Sequence, residues 1–277
     1  MPVAQNSTID HSTELSPHLS LIVPCYNEEE AIEYTLPQLH DAFAKAGYRL
    51  QLVAVDNGST DTTGAIINRL AVRYPLMICH RVEKNEGYGH GVLKALPLCT
   101  APWVGIIPAD GQVDAEDVAR LFAAVAATQG RVLGKVRRRF RLDGIARKIF
   151  SASYNLFFRM LWPKIRSIDI NGSPKILPRS AILNMKLESK DWILDPEMMV
   201  KAHLMGLSVL ELNVFGRMRG TGMSHVHADT CWHFFRKLAW AKINRRWYRQ
   251  LKSVEFTTPA KLDAPARPST RVETSNT

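Results

Sequence analysis

The sequence predicts an α/β fold with a Rossmann-like, mostly parallel sheet flanked by helices, followed by basic amphipathic helices. Apolar segments of strand length alternate with segments of helical periodicity from residue 19 to residue 127. Polar clusters follow three of the strands, at residues 24–28, 56–61 and 110–112. Because ligands bind beyond the carboxyl ends of parallel strands, these clusters predict a binding site along one rim of the sheet.

The first half of the chain is predicted to contain four strands and four helices. Short apolar, β-branched runs indicate strands at residues 19–24, 50–55, 77–81 and 103–107. Helical spacing covers residues 28–46, 61–74 and 113–127, and residues 86–98 are glycine-punctuated before they become helical. Asp61 is the expected N-cap of the second helix.

The second half is less regular. Helices are predicted over residues 145–161, 192–205 and 232–251, and strands over residues 169–177 and 209–215. Pro163 is expected to end the first of these helices. The polar composition of residues 1–18 and 253–277 predicts disorder at both ends.

The composition excludes several classes of protein. Hydrophobic residues make up 46% of the 277 positions, which argues against wholesale disorder. The four cysteines lie far apart and form no CxxC pair, so neither a zinc site nor a disulfide framework is expected, and a reducing cytosol fits. No apolar run has the roughly 18 residues of a membrane span, and residues 1–20 lack the apolar core of a signal peptide.

Positive charge is concentrated in one part of the chain. The formal net charge is +10, and residues 131–166 alone contain eleven bases and one acid. A second basic stretch, residues 236–252, contains no acid. Such stretches indicate either a solvated face or a wall that binds anions, such as nucleotide phosphates, lipid phosphates or nucleic acid.

Seven short motifs suggest chemistry. Residues 23–28 read V-P-C-Y-N-E, residues 55–61 V-D-N-G-S-T-D, residues 85–91 N-E-G-Y-G-H-G and residues 108–112 P-A-D-G-Q. Further along, residues 169–175 read D-I-N-G-S-P-K, residues 192–197 W-I-L-D-P-E and residues 219–225 R-G-T-G-M-S-H. Aromatic rings pack on nucleosides, carboxylates accept hydrogen bonds from them, and glycines let a backbone approach a ligand closely.

In this order the motifs resemble those of family 2 glycosyltransferases of the GT-A fold. Within that family the chain is most similar to dolichyl-phosphate mannosyltransferases and bacterial polyprenyl-phosphate glycosyltransferases, over about residues 19–225. The resemblance implies a GT-A domain over residues 19–230, with a nucleotide-binding half (19–128) and an acceptor half (129–230). A basic amphipathic helix (231–252) and a disordered tail (253–277) would follow, after a disordered lead at residues 1–18.

The resemblance also implies a UDP- or GDP-linked sugar as donor. The residues expected to bind its nucleotide are Pro24, Tyr26, Glu28, Asp56, Gly87 and Asp110. Asp110 and Gln112 would hold Mg²⁺ or Mn²⁺ against the leaving diphosphate. The family carries D-x-D here, but Pro108 replaces the first Asp, which leaves the metal requirement open. One carboxylate can suffice, because substrate phosphates supply other ligands to Mg²⁺.

For the acceptor, the resemblance implies a polyprenyl phosphate and inversion at the anomeric carbon by single displacement. The expected acceptor- and phosphate-binding residues are Arg137, Arg139, Lys175, Arg219 and Ser224. Asp110 and Arg219 would stabilise the departing diphosphate. A phosphomonoester, with a second pKa near ~6, is already a nucleophile, whereas a sugar hydroxyl needs a base such as Asp195. In the last motif His225 stands in place of a family Lys.

The two basic, aromatic-rich helices suggest where the reaction takes place. Residues 145–161 and 232–252 combine aromatic side chains with bases, as helices that lie in a membrane interface do, although both could instead pack on the sheet. The expected location is therefore the cytoplasmic face of the membrane, reached peripherally or through a membrane-anchoring partner protein.

Several alternatives remain open from the sequence. The chain could transfer sugar to a hydroxyl of a glycolipid or polysaccharide, or bind nucleotide-sugars without efficient catalysis. A processive synthase is disfavoured, because Ile243 stands where the Q-x-x-R-W motif requires Gln. Nucleic acid is not expected as a partner, since no nucleic-acid motif accompanies the basic stretches.

Overall fold

A computed structural model describes residues 16–128, 130–139, 145–216, 228–248, 257–260 and 262, with the backbone alone at residues 139, 145–150 and 228–233. The seven strands are β1 (Leu19–Cys25), β2 (Leu50–Asn57), β3 (Met77–Val82), β4 (Trp103–Ile106), β5 (Val132–Arg139), β6 (Lys175–Pro178) and β7 (Ser208–Phe215). The eight helices are α1 (Glu29–Lys45), α2 (Thr63–Arg73), α3 (Tyr88–Ala95), α4 (Ala115–Ala126), α5 (Ile145–Leu161), α6 (Arg179–Asn184), α7 (Leu194–Leu204) and α8 (Ala228–Ile243).

All seven strands form one sheet, in the order β3-β2-β1-β4-β6-β5-β7. The strands β1 to β4 pair in parallel, as predicted, and β5 pairs in parallel with β7. The short strand β6 lies between β4 and β5 and runs antiparallel to both. The predicted fold class is therefore confirmed as a mostly parallel sheet with flanking helices.

Two apolar cores cover the two faces of the sheet. Alternate residues of β1 point to opposite faces, so Leu21 joins the core beneath α1, α2 and α4, whereas Ile22 joins the core beneath α3, α5, α7 and α8. Within α5, Tyr154 and Phe158 are buried, and Leu238 and Ala241 of α8 are buried in the same core. Both basic helices therefore pack against the domain with one face.

Several boundaries differ from the sequence prediction. Residues 132–139 form a strand that the sequence analysis did not predict, since the bases there hid its alternation. The strand expected at 169–177 is reduced to Lys175–Pro178, and α8 is displaced toward the N-terminus from residues 232–251. The N-cap of α2 is Thr62, and Asp61 accepts from the Thr63 backbone N–H at 3.0 Å.

The predicted disordered tail contains an ordered segment. The backbone N–H of Leu262 donates to the Ala126 oxygen at 3.2 Å, and the Ser180 hydroxyl donates to the Thr257 oxygen. Residues 257–260 and 262 thus lie against α4 and α6. Across the described ranges, no helix is both long enough and apolar enough to span a bilayer.

Candidate active site

The carboxyl ends of β1, β2 and β4 bring the predicted nucleotide-binding residues to one rim of the sheet. Pro24 is buried within β1, and the Tyr26 side chain just beyond it is 37% exposed. Glu28 is half-buried before α1, where its backbone N–H donates to the Thr63 hydroxyl at 2.9 Å. The aromatic ring and the carboxylate that follow β1 therefore lie where a ligand at the rim could meet them.

Asp56, at the end of β2, is held tightly by its own surroundings. Its carboxylate is almost fully buried, accepts from the Ser59 backbone N–H at 2.9 Å and pairs with the Arg81 guanidinium of β3. A side chain at Gly64 would collide with this carboxylate. The contact between Asp56 and a nucleoside stays a prediction, and the structure shows that Asp56 also orders the turn between β2 and α2.

The glycine motif packs against another segment of the chain. A Cβ atom on Gly87, whose φ is 117°, would lie 2.5 Å from the Lys190 oxygen, and one on Gly89 would collide with the Ser189 oxygen. The His90 backbone N–H donates to the Lys190 oxygen at 2.8 Å. The sequence analysis explained these glycines by close approach to a ligand, but the backbone that approaches Gly87 and Gly89 is that of residues 189–191.

A buried ion pair holds this second segment in place. Glu197 and Lys201 of α7 are both fully buried, with Glu197 Oε1 2.6 Å from Lys201 Nζ. Glu197 also accepts from the Ser189 backbone N–H at 2.9 Å, and Lys201 donates to the Lys186 oxygen at 2.9 Å. The Glu of the W-x-x-D-x-E motif therefore positions the segment on which the glycine loop rests.

Asp110 lies in the loop that follows β4. Its Oδ1 atom accepts from the Gln112 backbone N–H at 3.2 Å, and its side chain and that of Gln112 are both half-buried. Asp114 instead caps α4, because its side chain accepts a hydrogen bond of 3.1 Å from the Glu116 backbone N–H. Asp110 is thus the carboxylate of this loop that faces the rim without capping a helix.

The donors in this loop fit a hard divalent cation that is held mainly by its substrate. A carboxylate from Asp110 and a carbonyl from Gln112 are oxygen ligands of the kind that Mg²⁺ and Mn²⁺ take. Among the residues that the structure describes, no group of three or more His, Cys, Asp and Glu side chains could hold a metal ion. A cation here would therefore need substrate phosphates and water as its other ligands.

The antiparallel direction of β6 brings Lys175 to the same rim. Lys175 begins β6 beside Ile106, which ends β4, and its ammonium lies 2.5 Å from Asp195 Oδ1 at the start of α7. Both side chains are buried. Lys175 and Asp195, which the sequence analysis placed in separate roles, form one ion pair at the end of the strand that precedes Asp110.

Two further cations lie beside this pair and were missed in the sequence. Arg138 forms a two-pronged ion pair with Asp169, with nitrogen–oxygen distances of 3.1 and 3.2 Å. Burial disfavours the Arg138 charge, but Asp169 and, to a smaller extent, Asp110 and Asp195 raise its pKa. Lys135 is fully buried, and burial together with the Lys175 charge lowers its pKa. The signal for Arg138 was present in the Arg137–Arg139 run, but the sequence could not show which base Asp169 would bind.

The remaining predicted residues have separate positions. Arg137 is half-buried on β5, where it is paired in register with Asn213 of β7. Arg139 ends β5, and its side chain lies outside the described residues. Arg219 and Ser224 also lie outside them, so their phosphate-binding roles stay predictions.

The overall architecture defines the class of domain. A glucosyl-3-phosphoglycerate synthase from Mycobacterium tuberculosis, solved with Mn²⁺, uridine diphosphate and glucosyl-3-phosphoglycerate, superposes with a TM-score of 0.63 at 17% identity, over 90% of this chain and 88% of that one. A mannosyltransferase from Pyrobaculum calidifontis, solved with GDP-Man and Mn²⁺, gives a TM-score of 0.57 at 21% identity, over 88% and 66%. At these identities the likeness concerns the fold, which is that of GT-A glycosyltransferases.

The sequence comparisons show the family. Residues 20–183 match the family described as Glycosyl transferase family 2, and the chain belongs to it. A bactoprenol glucosyl transferase of Shigella phage SfX is 31% identical over 169 residues, which are 61% of this chain and 55% of that protein. An uncharacterized glycosyltransferase of Mycobacterium bovis is 31% identical over 211 residues, or 75% and 89%. The chain spans about half the length of the bactoprenol glucosyl transferases that it matches.

Proposed function

We propose that this chain is an inverting glycosyltransferase that moves a hexose from a UDP- or GDP-linked donor to a polyprenyl phosphate at a membrane surface. Residues 19–128 would bind the donor, and residues 129–230 the acceptor. The observation that carries the proposal is the meeting of Asp110 with the Lys175–Asp195 pair and Arg138 at one rim, where anionic substrates find carboxylates and cations in one place. The match to bactoprenol glucosyl transferases supports this choice of acceptor.

The proposed reaction is a single displacement. A phosphate oxygen of the acceptor forms a bond to the anomeric carbon, while the bond from that carbon to the donor's diphosphate breaks and its electron pair leaves with the diphosphate. A phosphate acceptor is already an anion near neutral pH, so no side chain has to remove a proton from it. This agrees with Asp195 being committed to Lys175, 2.5 Å away. Asp195 and Lys175 would position the acceptor, and Arg138 and Arg219 would stabilise phosphate charge.

A divalent cation would supply charge neutralisation at the leaving diphosphate. Asp110 and Gln112 are the residues that would hold it, with the remaining ligands coming from the donor and water. Tyr26, Glu28 and Asp56 would surround the nucleoside at the neighbouring strand ends.

Exposed apolar side chains on two helices of the second half support contact with a membrane. On α5, Leu156 and Met160 are 61% and 71% exposed and lie one turn apart, with exposed Arg159 between them. On the neighbouring helix α8, Trp240 and Ile243 are 50% and 79% exposed. The buried sides of the helices meet through Phe157 and Phe235, whose ring centroids are 5.1 Å apart. Exposed apolar side chains interleaved with bases fit an anionic lipid surface.

A transfer assay tests the reaction. The protein is incubated with labelled UDP- and GDP-sugars, polyprenyl phosphate and Mg²⁺ or Mn²⁺, with EDTA in a parallel sample, and the lipid is extracted. We expect label in the organic phase from one donor and its loss with EDTA. Intact donor binding without any labelled lipid would contradict the proposed acceptor, and a product labelled on a sugar hydroxyl would favour the alternative acceptor.

Sedimentation with vesicles tests the location. We expect the protein to sediment with anionic liposomes at low salt, and the double variant Leu156→Ser/Met160→Ser to sediment less. Val72→Ser, at a position on α2 that is 89% exposed, is the matched control and should behave like the wild type. Equal sedimentation of all three proteins would contradict the membrane face proposed on α5.

The second candidate function is binding of nucleotide-sugars without efficient catalysis, which Pro108 at the first D-x-D position favours. Pro108→Asp separates the two functions. A large gain in turnover would support an impaired enzyme, whereas no change or a loss would support a native site with one carboxylate.

A further inference from the structure

Tyr88 lies within the glycine motif of residues 85–91, and the roles given to the glycines do not explain its side chain. It is the first residue of α3, directly after Gly87, and its ring stacks on the Trp192 indole with centroids 4.2 Å apart and planes 6° apart. Trp192 comes just before α7, which carries Asp195. The stacked pair thus joins the glycine loop of the first half to the Lys175–Asp195 pair of the second.

The hydroxyl oxygen of Tyr88 is enclosed by protein and has no well-formed hydrogen bond within the described ranges. Buried hydroxyl groups are normally hydrogen-bonded, because losing water without gaining a partner is costly. The side chain is also fixed by stacking, so the hydroxyl cannot easily turn toward solvent. Because it is enclosed at the rim of a candidate active site and lacks a well-formed hydrogen bond among the described residues, this hydroxyl points to a bound molecule as its partner.

The groups around this hydroxyl define the kind of partner. The Ser173 side chain interacts with it without the geometry of a well-formed hydrogen bond, and the charges of Asp195 and Asp110 both act on it. Burial, followed by these two carboxylates, raises the pKa of Tyr88 well above its usual range, so the phenol keeps its proton. A protonated phenol can donate one hydrogen bond and accept another.

Resting on the proposed function, we propose that the Tyr88 hydroxyl donates a hydrogen bond to a hydroxyl group of the sugar in the bound nucleotide-sugar. A sugar hydroxyl can accept a hydrogen bond from Tyr88 and donate one to Asp110 or Asp195, so it suits both the phenol and the carboxylates. A phosphate oxygen can only accept, so it could bond to Tyr88 but could not donate to either carboxylate. Tyr88 is therefore a residue that recognises the sugar, while the cation held by Asp110 and Gln112 would bind the diphosphate.

The variant Tyr88→Phe tests this, because it removes the hydroxyl and keeps the stacking on Trp192. Calorimetric titration with UDP-glucose, GDP-mannose, UDP and GDP, each with Mn²⁺, gives the dissociation constants. For the nucleotide-sugar that the wild type binds, we expect the Kd to rise about 3- to 10-fold, as for one neutral hydrogen bond. The Kd of the matching nucleoside diphosphate should not change. Tyr34→Phe, at a position 67% exposed on α1, should alter neither.

Thermal unfolding of the free protein provides the second readout. Since Tyr88→Phe removes a hydroxyl that makes no well-formed hydrogen bond among the described residues, its Tm should equal or exceed that of the wild type. A Tm lower by several degrees would assign the hydroxyl a structural role and overturn the proposal. Unchanged affinity for the nucleotide-sugar, or an equal loss for the nucleoside diphosphate, would also overturn it. If the wild type binds no nucleotide-sugar, the proposed function fails together with this inference. If Tyr88→Phe transfers sugar and binds the nucleotide-sugar as tightly as the wild type does, only the inference fails.

Discussion

The two halves of the domain bury different kinds of polar side chain. Among the described residues of the first half, the buried polar groups are mostly hydroxyls and amides, and Asp56 is the one buried carboxylate. The described residues of the second half include six buried charged side chains: Lys135, Asp169, Lys175, Asp195, Glu197 and Lys201. Since a buried charge is very costly unless it is paired, the second half depends on ion pairs and on hydrogen bonds to its buried charges. The first half instead satisfies most of its buried polar groups with hydrogen bonds between neutral groups, such as that from Ser20 to Gln51.

The largest expected effect comes from breaking a fully buried pair. Lys201→Met leaves the Glu197 charge buried without its partner, so the free energy of unfolding should fall by about 3–5 kcal/mol in urea titrations. The double variant Glu197→Gln/Lys201→Met should recover part of this loss. Lys45→Met, in the exposed pair with Glu116, should leave the free energy of unfolding almost unchanged, because water screens that pair. Equal losses at the two sites would remove the contrast between buried and exposed pairs.

Next in size is the effect of Asp110→Asn on transfer. Losing the carboxylate that faces the leaving diphosphate should lower turnover about 10²- to 10³-fold, with little change in Tm. Asp114→Asn, four positions later, is the matched control, because Asn caps a helix as well as Asp does. Turnover with both variants is measured in the lipid-extraction assay. Similar losses in both would show that the loop as a whole, and not Asp110, matters.

A smaller effect is expected where the two halves meet. Gly89→Ala places a methyl group against the Ser189 oxygen, so the free energy of unfolding should fall by about 1–3 kcal/mol. The contact between the glycine loop and residues 189–191 must then open, so donor affinity should fall as well. Urea titration and calorimetry measure the two changes. If Gly89→Ala is as stable as the wild type and binds the donor equally well, the contact between the glycine loop and residues 189–191 does not determine the geometry of the donor site.

The smallest effect concerns a neutral group of the first half. Burial raises the pKa of the Cys99 thiol from 9.0 to about 12. A folded-state pKa above the unfolded value means that stability is complete below pH 9 and is lost as the pH rises toward 12. Between pH 8 and pH 10, wild-type stability should therefore fall by about 1 kcal/mol more than that of Cys99→Ala. Parallel pH profiles in urea titrations would show that the folded protein tolerates the thiolate.

The sequence predicted the elements of the first half better than those of the second, because the second half buries charged side chains. The strands β1 to β4 follow apolar runs with turn residues at their ends, and their predicted bounds agree with the structure within one or two residues. The helix predicted over residues 145–161 has those bounds. The strand β5 was missed, because three of its side chains are consecutive arginines and its lysine is buried only through distant partners. Periodicity shows which residues are apolar, but it cannot show which charges will be compensated.

The sequence by itself determined the fold class, the family and the rim at which Asp56 and Asp110 lie, because these depend on local patterns along the chain. Only the tertiary structure decided that Lys175 pairs with Asp195, that Arg138 binds Asp169, and that Gly87 and Gly89 face residues 189–191. These contacts join residues that are 20 to more than 100 positions apart. Lys175 reaches Asp195 at the rim because the antiparallel strand β6 begins beside the end of β4, and strand direction is settled only when the sheet assembles.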